Sequence, residues 1–419
     1  MGTRTLVNHG YPGVAEKPKK ALGMIDAPLL VVVIALCVFG LLMVFSASWD
    51  FSMIVYNSPM YMFEKQVIWM AVGVVVAFVF SRIDYHSWRS LVVPLMILTI
   101  LMLIGVLVVN EVRLGAARTL AEGSIQPSEL AKLVTVIYLA VWMYSKRQNL
   151  HDVNLGLVPL AIILGTIGGL IYIQPDLSAT ATIFLLGGLL FFLAGGDLKQ
   201  IIFLLIIAVA VGWAVVEISA TGRQRFGSYL QGMQDPLQAS YHVRRSFEAI
   251  VKGGWFGVGL GRADTKLTGL PVPPTDSIFA VIAEEFGLFG VVSLVVAYGL
   301  LVWRGLRISR RAPDMLGTLL ATGLTFWLAA EATINMAVMV GLMPFAGNAL
   351  PFISAGGSNL IASLGAIGIL MNVARQSTVI SAQDDEWRKL GATLDLRRRN
   401  RGRRLSRPGR AAGAEQSQD

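Results

Sequence analysis

The chain has 419 residues, of which 55% are hydrophobic and 15% are charged. Soluble domains carry about a quarter charged residues, and many apolar runs here reach about 18 to 25 residues, long enough to cross a bilayer. The formal net charge of +9 lies largely in loops and tails, so we expect no nucleic-acid partner. The composition predicts an all-α polytopic membrane protein.

Cysteine and histidine usage limits the chemistry. The single cysteine, Cys37, excludes an intramolecular disulfide and a multi-cysteine zinc site. The four histidines are scattered without HExxH-like spacing, so no metal-ligand motif is visible. The first 24 residues are polar and basic and lack the apolar core of a cleavable signal peptide.

Hydrophobic runs predict ten membrane spans. Basic residues follow every second span, on the same side as the N-terminal lysines, which indicates that both termini are cytoplasmic. We therefore expect a cytoplasmic tail at 1–24, a membrane domain at 25–375 and a basic cytoplasmic tail at 376–419. A large extracytoplasmic loop, 219–276, separates spans seven and eight. The spans lie near 27–48, 62–80, 89–110, 127–145, 155–173, 177–195, 199–218, 277–303, 314–341 and 351–374.

The C-terminal tail contains the sequence LRRRNRGRRLSRPGR. One interpretation is an anchor that fixes topology beside anionic lipid. The other is a docking segment for a cytoplasmic partner. The chain shows no clear internal repeat, so the sequence does not support an inverted-repeat transporter.

The stretch 270–287, LPVPPTDSIFAVIAEEFG, marks the entry to span eight. Its prolines disfavour helix, and Thr275 or Asp276 is then expected to cap the following helix. A carboxylate therefore lies where a loop enters a span, with Glu284 and Glu285 about two turns further in. Ionisable groups at such depth are candidates for function, whereas the plainer interpretation of Asp276 is a helix cap.

Span four opens with the sequence SIQPSELAK, in which Glu129 and Lys132 share one helix face. They predict either an ion pair that locks helix packing or the polar wall of a substrate cavity. Arg118, in the loop before, suits phosphate because its planar fork donates two hydrogen bonds. It is equally consistent with a surface arginine at a lipid headgroup.

Polar and glycine-rich segments recur near the other span ends. Asp176 favours a turn that caps span six. The segment GGWFGVGLG at 253–261 matches no nucleotide motif, so its glycines are expected to allow tight turns or close packing. Residues 240–252 are expected to form an amphipathic interfacial helix. At the start of span ten, Ser354 and Ser358 are candidate donors to an anionic ligand, although packing alone explains the neighbouring glycines.

Six motifs in this order resemble the SEDS family of shape, elongation, division and sporulation proteins, which includes FtsW and RodA. The resemblance covers nearly all of the predicted spans and is closer to FtsW, through Phe63–Gln66 and Met371–Arg375. The motifs are FSAS at 45–48, QPSELAK at 126–132, QPDLS at 174–178, GGWFGVGLG at 253–261, TDSIFAVIAEEFG at 275–287 and ISAGGS at 353–358.

The resemblance implies an inverting glycosyltransferase of the bacterial plasma membrane that polymerises lipid II into peptidoglycan for division or elongation. Its expected partners are a class B penicillin-binding protein and other divisome or elongasome membrane proteins. No cofactor is assigned, and Mg²⁺ or Mn²⁺ is compatible with a pyrophosphate leaving group. The family's catalytic aspartate falls on Asp276. The expected substrate-binding residues are Arg118, Gln126, Ser128, Glu129, Lys132, Arg244, Lys252, Glu285, Ser354 and Ser358.

Some positions depart from the family pattern. Pro274 and Ser277 flank the Thr-Asp pair where the family usually has His and Phe, and Thr119 replaces a tryptophan after the loop arginine. Two alternative functions stay open. One is a lipid II flippase with Glu129, Lys132 and Glu285 along a polar path. The other is a non-catalytic scaffold that recruits a penicillin-binding protein.

Overall fold

The computed structural model describes residues 26–109, 126–174, 176–218 and 220–378, and every regular element among them is helical. Short helical turns precede α3 and α5 and follow α8. The longer helices are α1 Ala27–Tyr56, α2 Tyr61–Arg82, α3 Trp88–Val109, α4 Pro127–Lys146, α5 Val158–Ile173, α6 Leu177–Leu193, α7 Leu198–Ile218, α8 Ala220–Gln234, α9 Tyr241–Gly253, α10 Ile278–Arg310, α11 Met315–Met339 and α12 Gly357–Thr378.

Ten of these helices correspond to the ten predicted spans. Eight are long and apolar enough to cross a membrane. The other two are α6, which has 17 residues, and α4, which begins with a polar turn. The count of ten spans therefore stays a prediction. The expected large loop, 219–276, is itself largely helical because it contains α8 and α9.

Several helices begin after an aspartate whose side chain accepts a hydrogen bond from a backbone N–H that has no partner within the helix. Asp26 accepts from Leu29 N at 3.0 Å, and Asp176 accepts from Ala179 N at 3.1 Å. The predicted cap of span six by Asp176 is thus confirmed. The N-cap of α10 is Ser277, so the expectation that Thr275 or Asp276 occupies that position is wrong.

The core of the bundle is formed by α12, α11 and α4. Nearly all of α12 is buried, whereas α7 is almost wholly exposed at the periphery. Glycines permit the close approach of α2 and α12, since a Cβ at Gly368 would overlap the backbone of Ala77. Small residues are the usual means of close helix packing in membranes.

Helix α10 is broken at Gly287, whose φ of 64° and ψ of −162° are not helical. This corrects the expectation of one continuous span at 277–303. The residues before the break are buried, whereas those after it are mostly exposed along one side. A break inside a membrane protein leaves backbone groups that the protein itself must satisfy.

The segment 254–259 supplies those partners. Its N–H groups reach the first part of α10, with Val258 N donating to Glu284 O and Gly259 N to Glu285 O, both at 3.0 Å. Its carbonyls accept from the second part, Gly254 O from the N–H of residue 288 at 2.9 Å. The glycine-rich motif therefore allows close packing, as expected, and its partner is the broken backbone of α10.

We expect Gly287→Ala to destabilise the protein, because the positive φ disfavours a side chain and a Cβ would overlap the Gly257 nitrogen. Such strain costs about 1–3 kcal/mol. The matched control is Gly299→Ala on the same helix, where a Cβ meets open space. Denaturant titration in detergent micelles should show a loss for Gly287→Ala and little change for Gly299→Ala. Equal stabilities would contradict this account of the break.

Candidate active site

Asp276 lies in the turn just before α10. The carbonyl oxygens of residues 274–276 each accept a hydrogen bond from another part of the chain. The backbone N–H of Ala355 donates to the first at 2.8 Å, the hydroxyl of Ser354 to the second at 2.7 Å, and the amide of Asn335 to the third at 3.0 Å. The backbone that carries the candidate catalytic carboxylate is therefore held at three consecutive positions.

The carboxylate of Asp276 lies against the segment that joins α11 to α12. A Cβ placed on Gly347 would lie 2.8 Å from Asp276 Oδ2, so the glycine leaves the carboxylate room. Ser277 binds the start of the same turn, because its hydroxyl donates a hydrogen bond to Pro271 O at 2.8 Å. This serine, which departs from the family pattern, thus closes the proline-rich turn.

A buried ionic cluster joins α4, α11 and α12. Lys132 lies between two carboxylates, 2.7 Å from Glu129 and also paired with Glu331. Asn359 donates to both carboxylates, at 2.9 and 3.2 Å, and Trp327 donates to Glu331 at 2.8 Å. The predicted Glu129–Lys132 pair is confirmed. The Lys132 side chain is only 1% exposed. Because Lys132, Glu331 and Asn359 come from α4, α11 and α12, their contacts hold these three helices together.

A second polar cluster surrounds Asp176 at the start of α6. Asp176 Oδ2 accepts from Ser128 Oγ and from Gln126 Nε2, both at 3.2 Å. The backbone N–H of Gln126 donates to Ser358 Oγ at 2.8 Å. Three of the expected substrate-binding residues thus form one hydrogen-bonded network with Asp176, at the starts of α4, α6 and α12.

Glu285 belongs to a third cluster, which the sequence did not reveal. Its Oε1 accepts from Lys266 Nζ at 2.9 Å and from Ser46 Oγ at 2.5 Å. Lys266 is separated from Glu285 by the turn that carries Asp276, so no helical spacing connects the two in sequence. Glu284 beside it accepts from the backbone N–H of Asp264 at 2.9 Å, so its carboxylate holds the connection before α10 against the helix.

The remaining expected binding residues lie outside these clusters. On α9, Arg244 is exposed and its guanidinium lies 5.6 Å from the Tyr241 ring. Lys252 pairs with Glu248 at 3.2 Å, and this hydrogen bond from Lys252 lowers the pKa of Glu248. The predicted amphipathic helix is present as α9. Arg118 lies outside the described residues.

His242 on α9 is partly buried. Its ring stacks on Phe345 with 4.0 Å between centroids, and Phe345 belongs to the same segment as Gly347. Burial, and secondly the charge of Arg225, lower the pKa of His242 to about 4. The imidazole is therefore neutral at pH 7 and acts as an aromatic packing surface.

Among the described residues, no three His, Cys, Asp or Glu side chains lie close enough to hold a metal ion. The groups that bind the turn around Asp276 are an amide, a hydroxyl and a backbone N–H, and none of these supplies the second carboxylate that often accompanies substrate phosphates around Mg²⁺.

The sequence model of the cell cycle proteins FtsW, RodA and SpoVE matches residues 27–379. The chain belongs to this family. Its resemblance to SEDS proteins is thus confirmed, and it is a multi-pass membrane protein, as the apolar helices also indicate.

Relatives of known name match over most of their length. The chain is 35% identical to stage V sporulation protein E of Bacillus subtilis, covering 84% of this chain and 97% of that protein. It is 36% identical to a probable peptidoglycan glycosyltransferase FtsW of Trichlorobacter lovleyi, covering 86% and 96%. The expected closeness to FtsW agrees with that match.

Solved structures share the fold. A chain from a peptidoglycan synthase complex that coordinates polymerisation and crosslinking superposes with a TM-score of 0.68 at 26% identity, covering 84% of this chain and 98% of that one. RodA of Thermus thermophilus superposes with a TM-score of 0.58 at 24% identity, covering 84% and 97%. The second likeness concerns the fold alone.

We expect Lys132→Met to lower the free energy of unfolding by about 3–5 kcal/mol, because it leaves two carboxylates buried without their cation. The matched control is Lys252→Met. Its ion pair with Glu248 is more than one-third exposed, and such pairs contribute about 0–1 kcal/mol. Denaturant titration of both variants in micelles compares the two. Similar losses for both would show that the buried cluster does not hold the helices together.

We expect His242 to make stability depend on pH. Its folded pKa of about 4 lies below the unfolded value of about 6.5, so the unfolded chain binds the proton first. The contribution is complete above about pH 6.5 and is lost as pH falls towards 4. Thermal unfolding between pH 7.5 and 5 should show a larger fall in Tm for the wild type than for His242→Phe. Parallel curves would contradict the assignment.

Proposed function

We propose that this protein is a peptidoglycan glycosyltransferase that polymerises lipid II at the outer face of the bacterial plasma membrane. Family membership and relatives named as probable peptidoglycan glycosyltransferases support this activity. The observation that carries the proposal is a carboxylate, Asp276, held by a fixed backbone at the entrance of a membrane helix.

The substrate matches this location. Lipid II has a long apolar tail, a pyrophosphate and sugars at headgroup level. A catalyst for it needs an apolar surface for the tail and a base near the membrane boundary. The exposed apolar residues of the helices supply the first, and Asp276, just before α10, supplies the second.

In the proposed reaction, Asp276 accepts the proton of the acceptor sugar's 4-hydroxyl. The oxygen then attacks the anomeric carbon of the donor sugar. The new carbon–oxygen bond forms as the bond to the pyrophosphate breaks, so the configuration inverts and undecaprenyl pyrophosphate leaves. A positioned base typically contributes about 10²–10⁴-fold in rate.

Cations are required where negative charge develops on the leaving pyrophosphate. Arg118 and the α9 residues Arg244 and Lys252 are the proposed candidates, since arginine in particular binds phosphate with two parallel hydrogen bonds. Lys132 is assigned instead to holding α4 against α11, because both of its neighbouring carboxylates already neutralise it.

A class B penicillin-binding protein is the proposed partner, together with other division or elongation membrane proteins, and both termini are proposed to be cytoplasmic. The relative in a peptidoglycan synthase complex supports such a pairing. The flippase alternative gains no support. Its polar path required Glu129, Lys132 and Glu285, and all three are buried in ion pairs within the bundle.

We expect Asp276→Asn to reduce polymerisation by about 10²–10⁴-fold, because the amide cannot take the hydroxyl proton. The shape of the side chain is kept, so the fold should persist. The matched control is Asp264→Asn, an exposed residue of the same connection. Purified variants with the partner transpeptidase are assayed for glycan strands from labelled lipid II. Wild-type activity in Asp276→Asn would show that this carboxylate is not the base.

A further inference from the structure

Asn335 on α11 joins two segments of the candidate site. Its side chain is 1% exposed, and its single amide nitrogen donates to Asp276 O at 3.0 Å and to Asn348 O at 2.5 Å. The first carbonyl belongs to the turn before α10 and the second to the segment between α11 and α12. One side chain therefore ties the candidate base to the segment that faces it.

The facing segment meets the carboxylate at Gly347, the residue immediately before Asn348. Only the missing Cβ of Gly347 leaves room there, since an added carbon would lie 2.8 Å from Asp276 Oδ2. The Asn335 amide holds both sides of this contact. Its loss would let the carboxylate and Gly347 move relative to each other.

The remaining polar atoms of this pair indicate a role beyond stability. Asn335 Oδ1 and Asn348 Nδ2 are buried and have no hydrogen-bond partner among the described residues. A buried unsatisfied polar atom costs about 1–3 kcal/mol, and such atoms in folded proteins call for a specific explanation. If Asn335 served packing alone, a leucine would be more stable at this position, because it has no polar atom to leave unsatisfied.

We infer that Asn335 is a positioning residue for glycosyl transfer, which sets the Asp276 carboxylate at the distance and angle that proton removal requires. This inference rests on the proposed function of Asp276. Asn335 touches only backbone carbonyls at this site, so it acts on the chemical step and leaves lipid II binding unchanged. A displacement of about 1 Å at a reacting group costs on the order of 100-fold in rate.

The test compares Asn335→Leu with a matched control, Asn372→Leu. Asn372 is also fully buried and also bridges two backbone groups, donating to Ser81 O at 2.9 Å and accepting from Tyr85 N at 3.0 Å. It lies fifteen residues into α12, away from Asp276. Both variants are assayed with the partner transpeptidase for kcat, KM for lipid II and Tm.

We expect both variants to lose stability, and only Asn335→Leu to lower kcat, by about 10- to 100-fold, with KM within about twofold. Equal kcat in the two variants would overturn the inference. So would a change confined to KM. If Asn335→Leu does not fold, Asn335→Asp takes its place, because it keeps the shape of the side chain. Its kcat and KM are then compared with those of Asn372→Leu.

The outcome separates this inference from the proposed function. If Asp276→Asn is inactive while Asn335→Leu keeps its kcat, the base assignment stands and the positioning role is wrong. If Asp276→Asn keeps wild-type activity, the base assignment fails and the positioning role fails with it. A loss of kcat in Asp276→Asn and in Asn335→Leu, with an unchanged kcat in Asn372→Leu, supports the base assignment and the positioning role.

Discussion

Backbone polar groups within a membrane protein need partners from the protein itself, because lipid offers none. The most demanding place in this fold is the entrance of α10. There the helix begins after a proline-rich turn and is interrupted at Gly287, ten residues after its N-cap. The segment 254–259 pairs with the broken backbone, and α11 and the segment after it pair with the carbonyls of residues 274–276. The position of Asp276 depends on these two sets of hydrogen bonds.

The charged clusters reinforce the same arrangement from inside the bundle. Lys132 joins α4 to α11 through Glu331, and Lys266 joins the connection before α10 to Glu285 and to α1. Each buried cation has a carboxylate within reach, which is the condition for keeping charge in a low-dielectric interior. Asn335 lies one turn beyond Glu331 on α11. The helix that the ionic cluster fixes is thus the helix that holds Asp276.

Several features of the site could be predicted because they depend on neighbours in sequence. The Glu129–Lys132 pair follows from a spacing of three on one helix face, and the Asp176 cap follows from a turn before an apolar run. The contacts of Lys266 with Glu285 and of Asn335 with Asp276 could not be predicted. Each joins residues from different elements, and no periodicity connects such positions.

The sequence by itself determined the helical membrane class and the family, and it named Asp276 as the candidate base. Hydrophobic length, turn residues and short motifs are local properties, and these conclusions rest on them. The tertiary structure decided that α10 breaks at Gly287, that Ser277 takes the N-cap, and that Asn335 holds the candidate base. These features depend on which distant backbone groups meet in space, because each group needs a partner that its own helix cannot provide.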